Sequence, residues 1–301
     1  MKIISCAFAL TIALIATFAS STTTEATPTV AVPISSPTAP AAAAPSGVAP
    51  AIVVRPITIM ELGDSITAGV GPKGVDNGRA GYRLPLTRLL EAGGYEFKMV
   101  GARSDYSGTL DVGDHEGWPG YVLRSFPSDP APQLLGDVTR RAVATYRPSI
   151  ILLMAGTNDL LRHAHNSPGY TQANIAQSLD MEIAEIFGLD PSARLIVAGV
   201  VDSPRVSHAA VTAFTNDART IVARYRRLGY RIAMADGMDA AVPRTAEFFP
   251  DGIHPVTNGY DLMAAVWFKA VGTALAEWPA VNTKASTSAT VARTASGQPQ
   301  H

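Results

Sequence analysis

The sequence predicts an α/β fold, a doubly wound three-layer sandwich around a five-stranded parallel sheet of flavodoxin-like type. Two observations carry this. Five short runs rich in Ile, Val and Leu recur with little polar alternation, as strands buried on both faces require. Longer helix-like runs lie between them, so strand and helix alternate along the chain.

The strand runs are 57–62, 97–100, 150–154, 195–200 and 232–235. The helix runs are 84–92, 133–146, 171–187, 209–228 and 257–276. Gly93 with Gly94, and Gly229, stand where helices end, because a left-handed residue closes a helix most easily as glycine. These elements place one domain at 52–280, with no internal repeat.

The flanks read differently. Lys2, an apolar stretch over 3–18 and the small residues Ala19 and Ser20 have the layout of a secretory signal peptide over 1–20. A Ser/Thr/Pro/Ala-rich linker over 21–51 and a tail over 281–301 lack the apolar area to offset ordering entropy, so both are expected to be disordered. The chain is therefore expected to be secreted, extracellular and monomeric. No later stretch is long and apolar enough for a membrane anchor. Cys6, the only cysteine of the 301 residues, lies in the leader. That excludes cysteine catalysis, cysteine-held metal and disulfides from the processed chain. A formal net charge of −1 gives no basic surface for nucleic acid.

A doubly wound sheet gathers its ligand site beyond the carboxyl ends of its strands. Four polar, glycine-containing segments fall at such places: Gly63-Asp64-Ser65-Ile66-Thr67, His115-Glu116-Gly117-Trp118-Pro119-Gly120, Gly156-Thr157-Asn158-Asp159 and Asp251-Gly252-Ile253-His254. Taken singly, Ser65 reads as a turn or N-cap serine and His254 as a loop histidine. Together they supply what ester cleavage needs. Ser65 is a hydroxyl nucleophile and His254 a general base. Asp251, three residues before His254, is a carboxylate to fix the imidazole tautomer. The backbone N–H groups of Ser65 and Gly120 and the amide of Asn158 are candidate donors to an oxyanion. No cofactor or metal is called for.

Neighbouring residues have plainer readings. Asp64 and Asp159 are expected to bond nearby backbone N–H groups. Trp118 and Tyr121 read either as a sugar-stacking face or as packed aromatics. Arg83 either pairs with a buried carboxylate and fixes the nucleophile loop or lies on the surface. His163 and His165 are expected in a solvated loop rather than on a metal. The 69–74 segment lacks the ending of a phosphate loop and reads as a turn. No Gly-x-Ser-x-Gly elbow is present, which disfavours an α/β-hydrolase lipase.

The four segments, in this order, resemble the blocks of the SGNH hydrolases, or GDSL-type esterases. The resemblance implies an SGNH-hydrolase fold. It also implies the roles above for Ser65, Gly120, Asn158, Asp251 and His254. With Gly81-Tyr82-Arg83, Pro85-Leu86 and the His115–Gly120 segment, the chain further resembles carbohydrate esterase family three, whose members are typically acetylxylan esterases. That implies removal of acetyl groups from xylan or a related plant polysaccharide. The rival expectations are a lipid or aryl esterase or thioesterase of the same fold, and a non-catalytic extracellular glycan-binding protein.

Overall fold

The computed structural model describes residues 56–72, 80–105, 113–128, 130–131 and 133–278. The expected leader, linker and tail lie outside the described residues. Strand β1 spans Ile57–Gly63, β2 Phe97–Met99, β3 Glu116–Gly117, β4 Ile150–Met154, β5 Arg194–Ala198 and β6 Ile232–Ala235. The helices are α1 Ser65–Ala68, α2 Arg83–Ala92, α3 Leu135–Tyr146, α4 Thr157–Ala164, α5 Gln172–Leu189, α6 His208–Arg227 and α7 Thr257–Glu277.

The five expected strands pair in parallel in the order β2-β1-β4-β5-β6. Their side chains alternate between two cores, as a pleated strand buried on both faces requires. Met60, Leu62, Ile151, Leu153, Leu195 and Val197 face the core shared with α3, α5 and α6. Ile57, Ile59, Ile150, Leu152, Ile196 and Ala198 face the core shared with α2 and α7. This is the three-layer sandwich expected from the apolar runs.

The structure adds detail that those runs do not carry. The sheet has a sixth strand, β3, whose Glu116 and Gly117 pair with Leu62 and Gly63 at the end of β1. Its two residues are too few to show a hydrophobic pattern. Helix α3 begins at Leu135 rather than 133, because Leu134 is held extended in a bridge to Val122. The 157–164 segment folds as α4, and His163 sits in its last turn with Nδ1 2.8 Å from the Tyr170 carbonyl. The solvated loop expected around His163 is corrected accordingly, although His165 just beyond is exposed. Among the described residues no helix is long and apolar enough to cross a membrane.

Strand order reverses at β1, which has β2 on one side and β4 on the other. The segments leaving β1 and β4 therefore diverge at the carboxyl edge, the topological switch point where such sheets bind ligands. Ser65 leaves from β1 and Asn158 from β4.

Candidate active site

Asp64 is extended and caps α1, its Oδ1 accepting the N–H of Ile66 at 3.0 Å. Burial raises this carboxyl above its usual range, while the Ile66 N–H draws it down. Ser65 is the first residue of α1 and is buried. The far end of α1 is clamped by Arg83, whose Nη2 donates to the Ala68 carbonyl at 3.0 Å and to the Asp105 carbonyl at 3.1 Å. Arg83 is fully buried, which excludes the surface-charge reading. Glu61, on β1 beneath it, is equally buried. Burial pushes the Glu61 carboxyl up to about 7, and the Arg83 charge opposes this. Tyr82 and Tyr260 brace the same segment, with hydroxyls on Thr67 Oγ1 at 3.2 Å and the Val70 carbonyl at 2.6 Å.

The 251–254 turn is organised by its own aspartate. Asp251 Oδ1 accepts the N–H groups of Ile253 and His254, both at 2.8 Å. Its Oδ2 lies 2.7 Å from His254 Nδ1. Burial alone would raise the Asp251 carboxyl, but the His254 ring and these two N–H groups outweigh it and hold it below its usual range. With Nδ1–H donated to a carboxylate, Nε2 is the free lone pair of the imidazole. That atom lies 3.0 Å from Ser65 Oγ. The structure thus brings Ser65, His254 and Asp251 into one line of hydrogen bonds.

The other two segments meet beside them. Trp118 N–H donates to the Gly63 carbonyl at 2.9 Å, which ties the 118–123 segment to the end of β1. Gly120 has φ +81° and is exposed. Asn158 is the second residue of α4, whose N-cap is Gly156, so its side chain does not cap the helix. Instead Nδ2 donates to the Tyr121 carbonyl at 2.9 Å, one residue after Gly120. Gly156 has φ +121°, and a β-carbon there would stand 2.8 Å from the Phe214 ring. Asp159 accepts the Leu123 N–H with both oxygens at 3.1 Å. Burial drives the Asp159 carboxyl up to about 7 against that N–H.

Trp118 is a packed aromatic. Arg103 sits 4.5 Å over its ring, Tyr121 stands 5.3 Å away, and its Nε1 donates to Glu116 Oε2 at 2.8 Å. His115 Nδ1 accepts the Gly117 N–H at 3.0 Å, while Nε2 lies 3.0 Å from the Asp105 carbonyl. Burial first, and then the Arg83 charge, push this imidazole down to about 3, so it is a neutral strut. One pair had no signal in the sequence. His208 Nδ1 lies 2.6 Å from Asp202 Oδ2, and Arg244 Nη1 stands 3.5 Å from Asp202 Oδ1. This second Asp–His pair fastens the loop after β5, and the serine is bonded to His254.

Residues 62–262 match the GDSL-like Lipase/Acylhydrolase family. A multidomain esterase of Ruminococcus flavefaciens is 24% identical over 243 residues, which is 71% of this chain and 28% of that protein. The chain thus spans less than a third of that relative's length. Among solved structures, the Clostridium thermocellum family 3 carbohydrate esterase superposes with a TM-score of 0.60 at 26% identity, covering 74% of this chain and 99% of that one. A family 3 carbohydrate esterase from Talaromyces cellulolyticus gives 0.57 at 19%, covering 73% and 99%. The aryl esterase of M. smegmatis gives 0.51 at 18%, covering 73% and 100%. The last two likenesses speak to the fold alone. With the family match covering well over half of the chain and an SGNH-hydrolase sheet beneath it, this protein belongs to the GDSL-like lipase/acylhydrolase family.

Proposed function

We propose that this protein is a secreted serine esterase that deacetylates xylan or a related plant polysaccharide through an acyl-enzyme on Ser65. The observation that carries the mechanism is the hydrogen-bonded line from Ser65 Oγ through His254 to Asp251, at 3.0 and 2.7 Å.

Ser65 Oγ attacks the ester carbonyl carbon and passes its proton to His254 Nε2. The carbonyl oxygen becomes an oxyanion, held by the N–H groups of Ser65 and Gly120 and by Asn158 Nδ2. The C–O bond to the sugar breaks, and His254 returns the proton to the departing sugar oxygen. Water then loses a proton to His254, attacks the acyl carbon and releases acetic acid, and Ser65 recovers its proton. Asp251 stays ionised throughout and holds the ring. Every group needed is a side chain or backbone N–H, so the reaction takes no cofactor.

The acetyl-polysaccharide assignment is supported by the likeness to the Clostridium thermocellum family 3 carbohydrate esterase, together with the Gly81-Tyr82-Arg83 and His115–Gly120 segments. Secretion is supported by Lys2 and the apolar 3–18 stretch.

The deciding experiment measures acetate released from acetylated xylan by the purified protein, with Ser65→Ala as control. Release by wild type alone supports the serine-esterase and polysaccharide reading. Cleavage of a small aryl acetate without release from xylan keeps the serine mechanism and points to an aryl or lipid esterase or a thioesterase. A folded protein inactive on both, and unlabelled by a fluorophosphonate, would be a glycan-binding relative.

A further inference from the structure

The rim of the site carries a cation that ester cleavage does not use. The loop after β5 runs beside the 251–254 turn, and the Arg205 N–H donates to the Gly252 carbonyl at 3.0 Å. The Arg205 side chain lies along Gly252. Its Cγ is 2.9 Å, and its Nε 3.8 Å, from where a β-carbon on Gly252 would stand. The glycine thus leaves room for the arginine stem two residues before His254. Arg205 is exposed, and among the described residues it forms no ion pair.

The loop that presents it is braced on both sides. Arg244 Nη2 donates to the Pro204 carbonyl at 3.2 Å and to the Val206 carbonyl at 2.7 Å, flanking Arg205. Asp202 holds both Arg244 and His208, at 3.5 and 2.6 Å. The Val206 N–H closes the turn on the Ser203 carbonyl at 3.1 Å. The acidic groups nearby are already matched, Asp202 by these two partners and Asp251 by His254 and two backbone N–H groups. Arg205 is left as an exposed cation on a fixed backbone, its stem against the 251–254 turn.

We propose that Arg205 is the specificity residue of this site and takes a carboxylate borne by the sugar chain, so that the preferred substrate is an acidic, uronate-bearing acetylated polysaccharide. The inference rests on the esterase reading and narrows it. A planar guanidinium matches a carboxylate through two parallel N–H donors, which an ammonium does not reproduce. Because the side chain is exposed, the gain is modest and sensitive to salt.

Two measurements test this on the full chain. The first compares kcat/KM for acetate release from acetylated glucuronoxylan and from the same xylan freed of its glucuronosyl groups. Wild type should favour the acidic polymer by about 3–10-fold at low salt. That ratio should approach one in Arg205→Ala, fall partway in Arg205→Lys, and shrink for wild type in high salt. An unchanged ratio in Arg205→Ala overturns the proposal. The second is independent of polymer: inhibition of aryl acetate hydrolysis by glucuronate, with glucose as control. Inhibition by glucuronate alone, lost in Arg205→Ala, supports a carboxylate subsite even if neither xylan is a substrate. Equal inhibition of wild type and variant, or none of wild type, overturns it. A wild type inactive on both xylans but active on the aryl ester defeats the polysaccharide reading and leaves Arg205 to the second measurement.

Discussion

Asn158 Nδ2 and the Tyr121 carbonyl lie 2.9 Å apart, so the side chain proposed to hold the oxyanion is itself held by the residue after Gly120. Two donors that leave different strands are thereby fixed as one unit. Such a donor acts on charge that develops in the transition state more than on the bound ester. Asn158→Ala should lower kcat on an aryl acetate by about 10²–10³ with little change in KM. Steady-state kinetics checks this, and an unchanged kcat would remove Asn158 from the oxyanion hole.

Asp251→Asn tests the orienting carboxylate. The substituted side chain can still accept the backbone N–H groups of Ile253 and His254, so the turn should survive. It cannot hold His254 in the required tautomer as a carboxylate does, and kcat should fall by about 10⁴. Circular dichroism of the variant should match wild type. A loss under tenfold would assign the orienting role elsewhere.

Three buried carboxyls set how stability varies with pH. Burial raises Glu61, Asp159 and Glu182 each to about 7, against ordinary values of 4.5, 3.8 and 4.5. Between the ordinary and raised values, the folded chain holds protons that the unfolded chain has lost. Stability should therefore fall as pH rises from about 5 to 8. Asp251 and His115 are shifted the other way: Asp251 matters only in stronger acid, while His115, pushed down to about 3 from 6.5, offsets part of the fall below about pH 6.5, one group against three. Glu61→Gln should flatten the slope by on the order of 1–3 kcal/mol across this range. Urea unfolding at pH 5 and pH 8 measures it, and greater stability at pH 8 would contradict the assignment.

Gly156→Ala should be costly in two ways. The residue has φ +121°, which a side chain rarely tolerates, and the added carbon would press on Phe214. A loss of about 1–3 kcal/mol is expected from strain of this kind. Because Gly156 opens the helix that carries Asn158, kcat should fall too. Chemical denaturation paired with kinetics checks both, and a variant as stable and active as wild type would show that the backbone can rearrange there.

The sequence revealed most where burial follows a simple period. The runs at 57–62, 150–154, 195–200 and 232–235 became parallel strands because a strand covered on both faces needs apolar residues at nearly every position, while 97–100 became the edge strand β2 with Lys98 exposed. Glu61 breaks that rule inside the first run, and only the structure shows the guanidinium of Arg83 behind it. The short β3 was illegible because Glu116 and Gly117 form a strand through pairing with β1 alone. At the site, Asp251 and His254 were readable as neighbours in sequence. The Asp202–His208 pair and the placement of Arg205 against Gly252 depend on how two loops pack, which no spacing encodes.

Ser65 and His254, the proposed nucleophile and base, stand 189 residues apart in the chain, one after the first strand and the other after the last. A nascent chain therefore displays its serine long before it can activate it. Ester cleavage should begin only after the turn bearing His254 has emerged from the ribosome and the helix behind it has docked. Fragments ending earlier would be silent, so turnover reports a fully assembled molecule. Two separately made halves that restore activity on mixing would be a sensitive assay for their reassociation.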